Sequence, residues 1–128
     1  MCVRLKKMKR DFDLIRRILF IIEASEQDPI EWVEINIEGK SPTEIAYHIW
    51  LLVDAGLIEG TDCSSGEGLD WKAQALTWEG HEFLQSIKSD NIWNKAKEKI
   101  LKPSVSWTFG ILTEYLKQEI KKQIGIES

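Results

Sequence analysis

This sequence predicts an α+β domain of winged-helix-like order, and three observations carry the prediction. SPTEIAYHIWLLVDAGLIEG reads as a capped helix that ends in a glycine turn. Two short strand-like stretches joined by DCSSGEG follow it. LTWEGHEFLQSI then opens a second capped helix. Helix, hairpin and helix in this order form the wing half of a winged-helix domain. The expected architecture is helix 1, a strand, the capped helix and a two-stranded wing, with extra C-terminal helices. One domain over residues 1–128 is expected: a basic N-terminal extension over 1–10, the winged-helix-like core over 11–89, and C-terminal helices over 90–128.

Each element has its own local signal. Helix 1 is predicted from Phe12 to Ser25 with Asp11 as N-cap. Ile15, Ile18, Leu19 and Ile22 form its apolar stripe, widened by Leu14 and Ile21, with Arg16 and Arg17 on the solvent side. Pro29 stops any continuation. In EWVEINIEG, Val33, Ile35 and Ile37 alternate with Glu34, Asn36 and Glu38, the period of a half-buried strand. Residues 31–38 are therefore expected to be extended and to pair with the wing, where a helix-turn-helix would place a short helix. Ser41, Pro42 and Glu44 make a capping box with proline at the first helical position. That helix should bury Ile45, Ile49 and Leu52, with Ala46 and Val53 close by, and end at Gly56. Glu44, Tyr47, Trp50 or Leu51, and Asp54 point outward.

Residues 57–61 and 69–76 read as the wing strands. Thr77 caps the next helix, whose inward positions are expected to be Trp78, in part His81, Leu84 and Ile87, with Gly80 allowing close approach of another element. NIWNKAKEKIL continues or restarts the helical pattern from Asp90, and Pro103 stops it. A last amphipathic helix from Trp107 to Ile124 carries Phe109, Leu112, Leu116, Ile120 and Ile124 on one stripe. That stripe must be buried, against the winged body or against a second copy as a homodimer. Opposite charges of helix and body favour the former.

At 128 residues and 14.8 kDa the chain can bury a real core. Hydrophobic residues at 43% and charged ones at 30% exclude the disordered class. The six tryptophans are spread along the chain, which assigns them to core and inter-element packing. Two cysteines, Cys2 and Cys63, give no disulfide framework and read as free cytosolic thiols. The longest apolar run, Ile18 to Ile22, is far short of a membrane span, and the N-terminus lacks a signal-peptide core. A cytoplasmic protein without membrane contact is expected.

Charge is partitioned. Residues 1–17 carry net +5, residues 18–87 net −12 and residues 88–128 net +3. Either the basic ends fold back over the acidic middle, or they touch an acidic partner such as nucleic acid.

MKRDFDLIRRIL, EGKSPTEIAYHIWLLVDAGLIEG, LTWEGHEFL, IWNKAKEKI and SWTFGILTEYLK, in this order, span Met8 to Gly125. Together they resemble a family of small uncharacterised bacterial and phage winged-helix proteins known as a domain of unknown function. The resemblance implies a small winged-helix protein, often encoded in phage or prophage regions. It supplies no catalytic residues. Members of that family tend to begin at the position of Met8, which makes residues 1–7 an extension or an earlier start.

Chemistry-bearing patterns are weak throughout. His48 lies beside a buried stripe and His81 in a first helical turn, where structural roles lead. Cys63, His48 and His81 lack paired-ligand spacing for zinc. SSGEG is not a phosphate loop, Glu79 and Glu82 read as an exposed acidic face, and Ser64 and Ser65 have no adjacent histidine. No catalytic, cofactor or metal residue is expected, and no enzyme. The leading expectation is a module that binds a protein partner through Glu44, Tyr47, Trp50 and Asp54, a face that is aromatic, acidic and free of cations. The alternative is a DNA-binding transcriptional regulator. It would draw cations from Arg4, Lys6, Lys7, Lys9 and Arg10, or from Lys95, Lys97, Lys99 and Lys102. The acidic middle disfavours it, because binding to phosphates is largely electrostatic.

Overall fold

The computed structural model describes residues 9–102 and 106–125. Cys2, Arg4, Lys6, Lys7, Met8 and Pro103 lie outside the described residues. The chain forms two compact units, one ending at His81 and one beginning at Glu82.

The first unit contains α1 (Phe12–Ala24), α2 (Pro42–Asp54), and the antiparallel strands β1 (Ile58–Asp62) and β2 (Trp71–Leu76). α1 starts where predicted: Asp11 Oδ1 accepts the Leu14 N–H at 3.2 Å. Its predicted stripe is buried together with Leu14, Ile21 is only half-buried, and Phe12 joins the stripe. Arg16 turns outward and lays its guanidinium over the Phe20 ring at 5.1 Å.

The segment between α1 and α2 has no helix. Val33 and Ile37 are buried, Ile35 is half-buried, and Glu34, Asn36 and Glu38 are exposed. This is the alternation the β-branched residues dictate. The Val33 N–H donates to the Ala73 carbonyl at 2.8 Å, so the segment touches β2 on the side away from β1. The contact is one bridge, not a third strand.

Ser41 caps α2 through its hydroxyl, which accepts the Glu44 N–H at 3.0 Å, and Pro42 takes the first helical position. At the other end Gly56 adopts φ +79°, the left-handed region. Its N–H bonds the Val53 carbonyl at 3.0 Å, and the Leu57 N–H bonds the Leu52 carbonyl at 2.9 Å. Both bonds of a Schellman ending are thus present. β1 and β2 pair with a bulge between Glu59 and Gly60. Asp62 and Ser64 tie the hairpin's far end: Asp62 Oδ1 accepts the Ser64 N–H and Ser64 Oγ accepts the Asp70 N–H, both at 2.9 Å.

Thr77 caps α3 (Trp78–Ile87), accepting the Gly80 N–H at 3.0 Å while donating its hydroxyl hydrogen to the Gly56 carbonyl at 2.6 Å. Gly80 is buried against the Leu57 carbonyl, and any Cβ there would run into that oxygen. The buried stripe of α3 is therefore Gly80, Phe83, Leu84 and Ile87. This corrects the expected inward role of Trp78 and His81. Once Gly80 faces inward, a residue two places earlier falls on the opposite side of a 3.6-residue helix. Trp78 is 77% exposed, and His81 is exposed too.

In the second unit α4 (Asp90–Lys99) begins anew, because Ser89 Oγ accepts the Ile92 N–H at 3.2 Å. It buries Ile92, Trp93 and Ala96. Thr108 caps α5 (Phe109–Gln123), which packs on α4 and buries Leu112 and Leu116. The Phe83 and Phe109 rings meet at 5.1 Å between centroids. The predicted α5 stripe is right at its centre and wrong at its end. Ile124 is the C-cap residue and 63% exposed, while the buried position one turn past Leu116 belongs to Glu119. The helix presents 112, 116 and 119 to α4, so the apolar row ending at Ile124 drifts off the interface.

Candidate interaction face of helix α2

Two faces of α2 have opposite duties. The inner face buries Ile45, Ala46, Ile49 and Leu52, together with His48, whose exposure is 0%. Such a buried imidazole needs partners on both nitrogens. Its Nε2 accepts the Asp11 N–H at 2.8 Å, and its Nδ1 lies 2.9 Å from the Glu44 carbonyl oxygen. An acceptor role at Nε2 leaves the hydrogen on Nδ1, where it is donated to Glu44. His48 is thus a clasp between α2 and the start of α1, with both nitrogens engaged.

Asp11 completes the clasp. One carboxylate oxygen caps α1 and the other takes the Lys40 ammonium at 2.9 Å. Burial alone would push the Asp11 carboxyl up. The hydrogen bond from Lys40, the Leu14 N–H and the charge of Lys40 outweigh burial and hold it below its ordinary value. Lys40 is held above its own ordinary value, first by the Asp11 hydrogen bond and charge, then by Glu44, 3.6 Å away. The cation flanking the N-terminus of α2 is therefore engaged by two carboxylates.

On the outer face, the side chains named from sequence take these positions. Trp50 is 40% exposed, Asp54 is exposed, and Tyr47 and Glu44 are half-buried. The Tyr47 ring meets the Trp50 ring at 5.6 Å between centroids and the His48 ring edge-on at 5.6 Å. Tyr47 thus bridges the rigid clasp and the exposed indole, which limits the rotamer freedom Trp50 would lose on binding. Leu51 is half-buried, so the outward position is Trp50. Of the proposed DNA-contacting cations, Lys9 and Arg10 are exposed, and Arg10 also sits 5.5 Å from the Phe12 ring centroid. Arg4, Lys6 and Lys7 lie outside the described residues. In the second unit Lys95 pairs with Glu119 at 3.6 Å, Lys97 is half-buried, and Lys99 and Lys102 are exposed.

The reactive side chains are dispersed. His81 is exposed, Cys63 is a half-buried free thiol, and Glu79 and Glu82 are exposed. Among the described residues no three His, Cys, Asp or Glu side chains gather closely enough to hold a metal ion. No described helix is long and apolar enough to cross a membrane. Sequence reasoning missed one polar site, the buried Glu119 of α5. Its carboxylate receives Lys95 and Lys122, each at 3.6 Å. Burial first, and then the neighbouring Glu119 and Glu98 carboxylates, push the Tyr115 phenol up. The available signal was a glutamate three residues after Leu116 on a helix with a lysine three residues further on.

Comparison with known proteins gives relationship without chemistry. The family described as "Hypothetical protein (DUF2513)" matches residues 9–106. An "Uncharacterized protein" of Haemophilus influenzae is 33% identical over 118 residues, covering 92% of this chain and the whole of that protein. No solved structure matches significantly. With most of its length matched in both comparisons, the chain belongs to the DUF2513 family of hypothetical proteins.

Proposed function

We propose that this protein is a non-enzymatic interaction module, and that the outer face of α2 binds a basic segment of a protein partner. The observation that carries the reading is Trp50, an indole 40% exposed on a helix without cations and braced by Tyr47. Tryptophan and tyrosine are favoured anchors of interfaces, and Glu44 and Asp54 beside them select a positively charged partner. Lys40, just before the N-terminus of α2, is already held by Asp11 and Glu44 and weakens that selection little. The same charge pattern argues against α2 as a DNA-reading helix. An enzymatic reading finds no support in His48, whose two nitrogens are occupied, or in His81, which is exposed and distant in sequence from Cys63, Ser64 and Ser65. The link to phage or prophage regions implied by the resemblance fits a small adaptor that engages proteins of a bacterial cytoplasm.

Site-specific photocrosslinking tests the reading. A photoreactive phenylalanine analogue at position 50, in the full chain expressed in its host, should yield a discrete protein adduct. The same analogue at position 78, where Trp78 is still more exposed, should not. Equal labelling from both positions, or a low-salt gel shift of mixed-sequence DNA that Trp50→Ala leaves unchanged, would replace this reading with non-specific exposure or with DNA binding.

A further inference from the structure

A second feature of the first unit lies on the other side of α2, away from Tyr47 and Trp50. After the bridge at Val33 the extended segment leaves β2, and a groove of about 340 Å³ opens between them. Its walls are residues 33–38 on one side and Asp70, Trp71 and Lys72 on the other, and its floor is the Ile45–Ile49 surface of α2. Ile35 and Trp71 are only half-buried there.

Backbone parity decides what those walls present. Along a strand, successive residues direct their N–H and C=O groups to opposite edges. The Asp70 carbonyl accepts the Cys63 N–H at 2.7 Å, so residues 70 and 72 face the β1 side. The Ala73 carbonyl accepts the Val33 N–H, so residues 71 and 73 face the other side. The N–H and C=O of Trp71 therefore point into the groove, at the level where the departing segment no longer reaches them. Val33 directs its N–H at β2, and the same parity turns Ile35 towards the gap. The open edge of β2 at Trp71 thus faces the backbone of the extended segment across the surface of α2, and an open strand edge is what accepts an added strand.

Charge names the occupant. Lys40 is bound by Asp11 and Glu44, and Lys72 lies 3.6 Å from Asp70. Glu34 and Glu38 line the groove and are exposed, with no described cation within ion-pair distance. They sit in a stretch, residues 18–87, of net charge −12. We propose that this groove binds an extended peptide of a partner protein, with alternating basic and aliphatic side chains, by strand addition to the free edge of β2 at Trp71. The aliphatic side chains pack on the half-buried Ile35 and Trp71, and the basic ones face Glu34 and Glu38.

The test is an amide-resolved NMR titration of the full-length protein with a short peptide alternating lysine and valine. Two controls accompany it: a glutamate–valine peptide, and the lysine–valine peptide with every second backbone nitrogen methylated. The expected result is saturable shifts of the Ile35 and Trp71 amides, with both controls weaker by about tenfold or more. The exposed double variant Glu34→Lys, Glu38→Lys should keep its spectrum and lose a similar factor. Equal binding of the methylated peptide would overturn strand addition. Unchanged affinity in the double variant at low salt would overturn the basic occupant. Shifts confined to Tyr47 and Trp50 would also overturn the groove proposal while supporting the α2 outer face, so the two readings fail separately.

Discussion

Among the described residues each unit buries one polar side chain, and the two solve the problem differently. In the first, His48 on α2 is satisfied by main-chain groups: the Asp11 N–H and the Glu44 carbonyl. In the second, Glu119 on α5 relies on side chains, the Tyr115 phenol that hydrogen-bonds it and the ammonium groups of Lys95 and Lys122, each 3.6 Å away and reaching in from water. A main-chain partner cannot swing away or rehydrate, so it fixes where helix α1 begins relative to α2. A lysine on a flexible stem can leave with little loss. The first arrangement makes for a unique geometry around Tyr47 and Trp50. The second tolerates change.

The largest expected effect tests whether the second unit depends on α5 at all. Deleting residues 104–128 removes Leu112 and Leu116, both fully buried. At roughly 1.5–3 kcal/mol for each fully buried leucine, the loss is about 3–6 kcal/mol before α4's exposed face is counted. The truncated chain should melt well below the full chain and aggregate. A truncated protein that stays soluble with an unchanged melting temperature would make α5 dispensable.

Replacing each buried polar residue by leucine sharpens the contrast directly. His48→Leu strands the Asp11 N–H in the interior and should cost about 1–3 kcal/mol. Glu119→Leu releases two lysines that are 47% and 74% exposed, and should change stability by no more than about 1 kcal/mol in either direction. Urea denaturation of both variants measures this. Equal losses would erase the distinction between main-chain and side-chain satisfaction.

A smaller effect is expected at the helix starts. Ser41→Ala removes the acceptor of the Glu44 N–H and should destabilise by roughly 0.5–2 kcal/mol. A denaturation midpoint and slope identical to those of the parent would show that the cap does not matter at Ser41.

The smallest effect is pH-dependent and belongs to the first unit. Asp11 has its carboxyl held below the ordinary 3.8. A lowered folded value means the unfolded chain binds the proton first, so this contribution is complete above about pH 4 and is lost as pH falls through the lower folded value. Asp11→Asn, which keeps a capping side chain, should flatten that part of the stability profile below pH 4. A variant whose acid limb superimposes on the parent's would remove Asp11 from the clasp.

What the residues dictated by themselves is the local chemistry. Asp11, Ser41 and Thr77 sit one place before an apolar-periodic run with a free side-chain oxygen, and each caps the helix it precedes. Gly56 supplies the one positive φ that ends α2, and the alternation of Val33, Ile35 and Ile37 rules out a helix before Ser41. All are decided within four residues by hydrogen-bond geometry and side-chain period, so no distant contact was needed. The same helical period left Trp50 or Leu51 as the outward residue, and packing of the first unit chose Trp50.

Tertiary structure decided what periodicity leaves degenerate. On α3 the choice of face was made by the Leu57 carbonyl, which admits only a glycine at position 80 and thereby sends Trp78 into solvent. On α5 the interface with α4 turned the helix enough to bury Glu119 and expose Ile124. His48 became a clasp because Asp11, thirty-seven residues away, placed its N–H at the imidazole. The groove beside β2 exists because the segment after Val33 departs from the sheet. In each case a partner far along the chain selected among faces or registers that local energetics leave nearly equal.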